Sequence, residues 1–304
     1  VSNNALDTTL AKASDRVSLT IVADEAIATP TVTFTSGGQA AGTATITQGD
    51  DATSWTAYYD VDSGDTDGAV GFTINFTDTA TNSGTAVTAV TNGGGSVTID
   101  TTSPGAFQTT TVESTGGTEV SAYYNSTNTA VSVTTPIAND ATLVGGSLKI
   151  EAKVDNGNYE VIGSAATISS ANTTQAIVLT ANNVEGLTNF AEQAVLTFRS
   201  VITDTAGNST TGTASLTTLT VDETDPTVTE VTAVTTPGND TTPTVVLGSS
   251  EVGSISSTLA IDLTSVQANN SNSATFDALS DGSYTPTVTV TDTAGNTTSL
   301  QLTT

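Results

Sequence analysis

The 304-residue chain contains no cysteine, no histidine, no methionine, one tryptophan and only five basic side chains. Each absence closes off a chemistry. Without Cys there is neither a disulfide staple nor a thiol nucleophile. Without His the usual Ser–His–Asp triads cannot be assembled, and a zinc site with nitrogen or sulfur ligands is excluded. No Gly-rich loop followed by Lys is present to cradle a phosphate. Nucleic acid is not expected as a partner, since phosphate binding needs clustered Lys and Arg. No run approaches the ~20 apolar residues of a membrane-spanning helix, so no membrane insertion is expected. Carboxylate-pair chemistry stays formally open, but one Trp is poor support for an aromatic-walled cleft. The expectation is a non-enzyme with no catalytic residues.

What is abundant is acid. Asp and Glu number 31, and the net charge is -26. Such a surface either serves solubility alone or meets hard divalent cations, whose preferred ligands are carboxylate oxygens. Aromatics are 5%, so cores must come mainly from Val, Ile, Leu and Ala. Several small cores suit this supply better than one large one. The absence of Cys suits an extracellular protein. The chain opens on Val1 rather than Met and shows no signal-peptide pattern, which reads as a mature product or a piece of something longer.

Short alternating runs recur, such as Val17–Val22, Thr31–Phe34, Val131–Val133 and Thr285–Thr291. One face of each is apolar and the other mostly Thr or Ser, the period of a half-buried strand. A helical turn is expected only within 181–191. The string Thr203-Asp-Thr-Ala-Gly-Asn208 returns as Thr291-Asp-Thr-Ala-Gly-Asn296, and a degenerate copy, Thr77-Asp-Thr-Ala-Thr-Asn82, replaces the glycine. Each copy sits between alternating runs and reads as a hairpin turn, with Gly and Asn supplying positive φ. A second repeat, Val97–Pro104 and Leu219–Pro226, ends in proline, which stops a strand and stiffens a connection. Boundaries there give modules 1–101, 102–223 and 224–304. The first strand of module 1 is expected to be truncated and module 2 to be enlarged.

The Asp-x-Ala-Gly-Asn turn, the Asp-x-x-x-Pro junction and Asp281-Gly-Ser-Tyr284 together resemble bacterial immunoglobulin-like repeats of large secreted surface adhesins. The resemblance implies an all-β fold of tandem Ig-like β-sandwich modules arranged as an elongated rod. It also implies a cell-surface stalk, often rigidified by calcium at its module junctions. Partners would be neighbouring modules, other copies of the chain, or a host or surface ligand that no residue cluster singles out.

Topology says where such calcium would sit. In a seven-strand sandwich the incoming linker, the end of the second strand and the turn between the last two strands share one pole. For module 3 these supply Asp222, Glu223 and Asp225, then Glu251, then Asp292. For module 2 they supply Asp100, Asp140 and Asp204. For module 1 they supply Asp24, Glu25 and Asp78, with no linker before them. Convergent carboxylates repel without a cation. The competing reading is that Asp and Asn here bind only their own backbone.

The acidic loop Asp60–Gly68 echoes a calcium loop without meeting the order of an EF-hand, and reads better as a solvated turn. Trp55 and Tyr59 share a parity and are expected in the core. Packing is likewise the default for Tyr58 and the Tyr123-Tyr124 pair, and Tyr284 is expected to act as a tyrosine corner. An alternative function also follows from module 1. Module 3 has Thr227–Val234 ahead of its second strand, whereas module 1 has almost nothing before Ser2. Its open edge could be completed by another copy, making the chain a subunit of a self-assembling filament or surface layer.

Overall fold

Alternation of Val, Ile and Leu with Thr and Ser builds strands that bury one face, and a buried face needs a second sheet to cover it. The computed structural model describes residues 1–91 and 93–303. It folds them into three sandwiches in series, each of two mainly antiparallel sheets. In the first, Arg16–Val22, Thr45–Gln48 and Ser54–Asp60 form one sheet. Leu10–Ala11, Thr31–Ser36, Gln39–Ala40, Gly68–Asn75 and Thr98–Ile99 form the other. Trp55 and Tyr59 are buried between them, and the Tyr59 ring lies 4.9 Å from that of Phe34. Tyr58 turns outward beneath the Arg16 guanidinium, 3.9 Å from the ring centre.

The second sandwich packs Thr111–Thr115, Ala130–Ile137 and Thr173–Thr180 against a sheet whose centre is Ser147–Val154 and Val195–Thr203. Its extra length goes into the strands Glu160–Thr167 and Thr173–Thr180 and the short helix Ala181–Glu185. Its core holds Tyr124 and Phe198, both fully buried. The third places Val228–Thr232, Thr244–Ser249 and Asn272–Thr275 over Gly253–Ser257, Ser265–Val266, Thr287–Asp292 and Thr297–Gln301. The Tyr284 hydroxyl donates to the Ser280 carbonyl at 2.9 Å, closing the corner before the strand Thr287–Asp292.

Two parallel pairings place the junctions. Leu10–Ala11 runs beside Thr98–Ile99, and Tyr123–Asn125 beside Thr220–Asp222. In both sandwiches the chain therefore leaves its last strand next to the loop that enters its second strand. That loop faces the next module.

Candidate metal centre and module junctions

The three turns share an internal frame. The Asp78, Asp204 and Asp292 carboxylates each accept the backbone N–H of the Asn four residues on, at 2.8, 2.9 and 2.9 Å. The same Asn returns a bond from its side-chain amide, at 2.7, 3.0 and 2.9 Å. Side chain binding own backbone is therefore real in these turns. One expectation is corrected. Gly207 (φ 93°), Gly295 (φ 97°) and, in module 1, Thr81 (φ 73°) adopt the left-handed conformation, but Asn208 and Asn296 do not. Those Asn side chains do something else.

Asn208 Nδ2 donates to the Asp100 carbonyl at 2.8 Å, and Asn296 Nδ2 to the Asp222 carbonyl at 2.8 Å. Each thus grips its own incoming linker. The preceding module answers in kind. Asn4 Nδ2 of the first module donates to the Ala206 carbonyl at 2.8 Å, and Asn125 Nδ2 of the second to the Ala294 carbonyl at 2.7 Å. Both donors are buried, Asn4 to 5% exposure and Asn125 to 0%. At the second junction Ser126 adds its N–H and hydroxyl to Asn296 Oδ1, at 3.1 and 2.8 Å. The glycines allow the approach. A Cβ on Gly295 would stand 2.9 Å from the Thr118 and Val120 side chains, and one on Gly207 3.3 Å from Leu6.

Around this frame lie the predicted carboxylates. Asp222, Glu251 and Asp292 offer oxygens that all lie within 4.8 Å of one another, the only such trio among the described residues. They arrive from the linker, the end of Thr244–Ser249 and the turn, as the shared-pole argument requires. Asp222 and Asp292 are buried. Burial, and then Asp292, Glu192 and Glu251, push the Asp222 carboxyl up to about 6. Burial and the Asp292 charge also raise Glu251. Glu192 joins from the second module and accepts the Glu223 N–H at 3.0 Å. Glu223 itself is raised by burial and by Glu185 and Glu192. Asp225 is exposed and outside the trio.

Elsewhere the predicted residues do not converge as closely. Asp204 is buried and Asp100 half-buried, and burial followed by the Asp204 charge raises Asp100. Asp140 accepts the Thr142 N–H and hydroxyl at 2.9 and 2.8 Å, capping a short helical turn. Asp24 and Glu25 are exposed, and Asp78 serves its own turn. The Asp60–Gly68 loop uses its carboxylates locally. Asp67 accepts Thr101 N–H at 2.7 Å and ties the first linker back to its module.

Residues 227–304 match the family model of a bacterial Ig-like domain, so the third sandwich carries that domain. No curated protein matches the chain. Among solved structures it is similar to a marsupial T cell receptor, at 12% identity over 97% of each chain with a TM-score of 0.40. It is similar to a three-Ig fragment of titin, at 12% identity over 96% of this chain and 92% of that one, TM-score 0.36. It is also similar to a tetra-tandem repeat in the extending region of a large adhesion protein, at 19% identity over 95% and 70%, TM-score 0.27. No helix among the described residues is long and apolar enough to cross a membrane.

Proposed function

We propose that the chain is a non-enzymatic spacer from an extracellular bacterial surface adhesin, a rod whose modules are locked by Asn-bearing turns and braced by Ca2+. The observation that carries the reading is the repetition of one interlock at both junctions. Asn4 and Asn125 hold the following module's turn, while Asn208 and Asn296 hold the linker. Buried hydrogen bonds on both sides of a linker remove hinge freedom, which a spacer needs and a catalyst does not. The bacterial Ig-like match over 227–304 supports the bacterial setting.

Calcium is supported by the chemistry of the trio. Oxygens bound at 2.3–2.6 Å to one ion stand at most about 5 Å apart, and those of Asp222, Glu251 and Asp292 meet that limit. The donors are all carboxylate, the choice of a hard cation. Glu192 would contribute charge from the preceding module, so an ion there would join the two modules. Asp100, Asp140 and Asp204 would form a weaker second site.

The test is calorimetric titration of the full chain with Ca2+, paired with small-angle scattering before and after chelation. Saturable binding lost in Asp222→Asn, with a longer and stiffer particle when loaded, is the expected result. A chain that binds no Ca2+ and keeps its shape would leave the acid to solubility.

A further inference from the structure

Of the five basic side chains, three meet on one face of the second sandwich. Lys149, Glu151 and Lys153 alternate along Ser147–Val154 with Leu148, Ile150 and Ala152, which are fully buried in the core. Arg199 faces Glu151 from the neighbouring strand Val195–Thr203. The outward face thus gathers Lys149, Lys153 and Arg199 around one carboxylate. Lys149 Nζ lies 3.5 Å from Glu151, and Arg199 reaches the same carboxylate at 2.7 Å. Lys153 has no ion pair among the described residues. Its ammonium stands 5.3 Å from the centre of the Tyr159 ring, and the Arg199 guanidinium lies over that ring at 3.8 Å.

The needs of the sheet do not explain this cluster. A cross-strand pair of opposite charges stabilises a sheet, and Glu151 with Arg199 makes one. Two further lysines beside the same carboxylate leave positive charge in excess. The next acids along the chain are turned to other work. Asp155 accepts the Val195 N–H at 2.9 Å, and Glu160 accepts the Thr188 N–H at 2.7 Å. Solubility does not call for the cluster either, since the net charge of -26 already supplies it. The patch lies on the middle sandwich, with a module before it and a module after it, and it stays open to solvent. The side chains of Lys149 and Arg199 are 37% and 31% exposed.

We infer that this face binds an acidic polysaccharide, a polymer with a carboxylate on alternate sugars. Charge complementarity selects an anion, and spacing selects which anion. Lys149 and Lys153 are four residues apart on one strand, about 13 Å, with Glu151 between them. A polymer of closely spaced charge, such as nucleic acid, would lay one of its anions against Glu151. A carboxylate on every second unit reaches the two lysines and leaves a neutral sugar over Glu151. There the Glu151 oxygens accept from sugar hydroxyls. Val161, 55% exposed, faces Glu151 from the other side and offers the ring an apolar surface. A second copy is a poorer occupant, because it brings a net charge of -26 with it. The inference is independent of any cation at the junctions.

The probe is hyaluronan, which carries one carboxylate on every second sugar, titrated into the full chain at low salt. A chelator is present throughout, so that no divalent ion bridges the polymer to the acidic surface. Saturable binding that weakens as salt rises is expected, with no binding of neutral dextran. The Lys149→Gln/Lys153→Gln double variant should bind at least tenfold more weakly. The Lys149→Arg/Lys153→Arg variant keeps both charges and should bind as the parent does, which separates lost charge from a disturbed fold. Equal binding by the glutamine variant would overturn the site, and equal binding of dextran would overturn the role of charge. No binding of hyaluronan at all would overturn the ligand class. Light scattering covers the remaining occupant. A parent chain that self-associates without polymer, beside a monomeric glutamine variant, would replace the polysaccharide with a second copy.

Discussion

The junction after Asp100 and the junction after Asp222 are built on the same lock and carry different charge. Both use an Asn from the preceding module, an Ala carbonyl in the turn and an Asn gripping the linker. Only the second gathers three carboxylates within 4.8 Å and draws in Glu192 from its neighbour. Only the second has Ser126 closing on Asn296 Oδ1. The interlock and the acid are thus separable devices. The turn of module 1 adds a third case. It keeps the internal Asp78–Asn82 frame, and there Thr81 replaces glycine. At both junctions glycine stands where the preceding module presses on the turn.

Gly295→Val attacks that rule where it is tightest. A branched residue at φ 97° is strained, and its Cβ would stand 2.9 Å from Thr118 and Val120. Backbone strain alone costs roughly 1–3 kcal/mol, and the collision adds to it. The expected outcome is loss of the second junction, read by scattering as a larger spread of module orientations, with the third sandwich still folded. Gly207→Val should do less, because the nearest contacts there are the side chains of Leu6 and Lys12 at 3.3 and 3.4 Å.

Asn296→Ala against Asn208→Ala sharpens the comparison. Loss of Asn296 removes the buried bond to the Asp222 carbonyl and the part-buried bonds from Ser126. An orphaned buried group such as that carbonyl costs about 1–3 kcal/mol, and a part-buried one less. Asn208 has the linker bond but no counterpart to Ser126. Thermal melts should therefore show N296A losing about 1 kcal/mol more than N208A; equal losses would remove the distinction between the junctions.

Much of this was legible in the sequence. Alternating Val, Ile and Thr fixes strands by local period, and the Asp-x-Ala-Gly-Asn repeat locates the turns. Shared-pole topology alone brought Asp222, Glu251 and Asp292 together. Glu192 was not foreseen, because it lies in the loop between Ala181–Glu185 and Val195–Thr203, with no repeat to flag it. Asn4 and Asn125 were missed for a similar reason. They sit in loops of unlike spacing, and only folding brings them to equivalent places. The one faint signal is Asn125-Ser-Thr127, in which the Asn side chain accepts the Thr127 N–H at 3.0 Å. The role of Asn208 and Asn296 was misassigned because a turn Asn suggests positive φ before it suggests a contact outside the turn.

Acid should separate the regions by the sign of its effect. At the second junction the Asp222 carboxyl is raised to about 6 when folded, against about 3.9 in an unfolded chain. Between those values the native state binds the extra proton, so stability rises as pH falls from about 6 to about 4. The effect in metal-free protein is on the order of 2 kcal/mol, and Glu251 adds in the same direction. In module 1 the Asn82 bonds hold Asp78 below the usual range. Asp60 is held down in the same way by Arg16. Their contribution is present above the ordinary carboxylate range and is lost as pH falls through the depressed values. Melts of chelated protein should show the third transition climbing between pH 6 and pH 4 while the first holds or drops. Saturating Ca2+ should flatten the climb, since the ion replaces the proton.

The smallest effect is expected at Thr81. Its φ of 73° is a conformation that glycine adopts freely and a β-branched residue does not. Thr81→Gly relieves that strain but adds freedom to the unfolded chain, and the two partly cancel. A net gain of about 0.5–1 kcal/mol for the first sandwich is expected, with no change at either junction. A first-transition melt that falls in T81G would mean that the Thr side chain itself holds the turn. A gain there, beside the losses in G207V and G295V, would establish that one motif is tuned by position. It carries glycine at the two turns that a preceding module contacts and accepts a strained threonine at Asp78–Asn82.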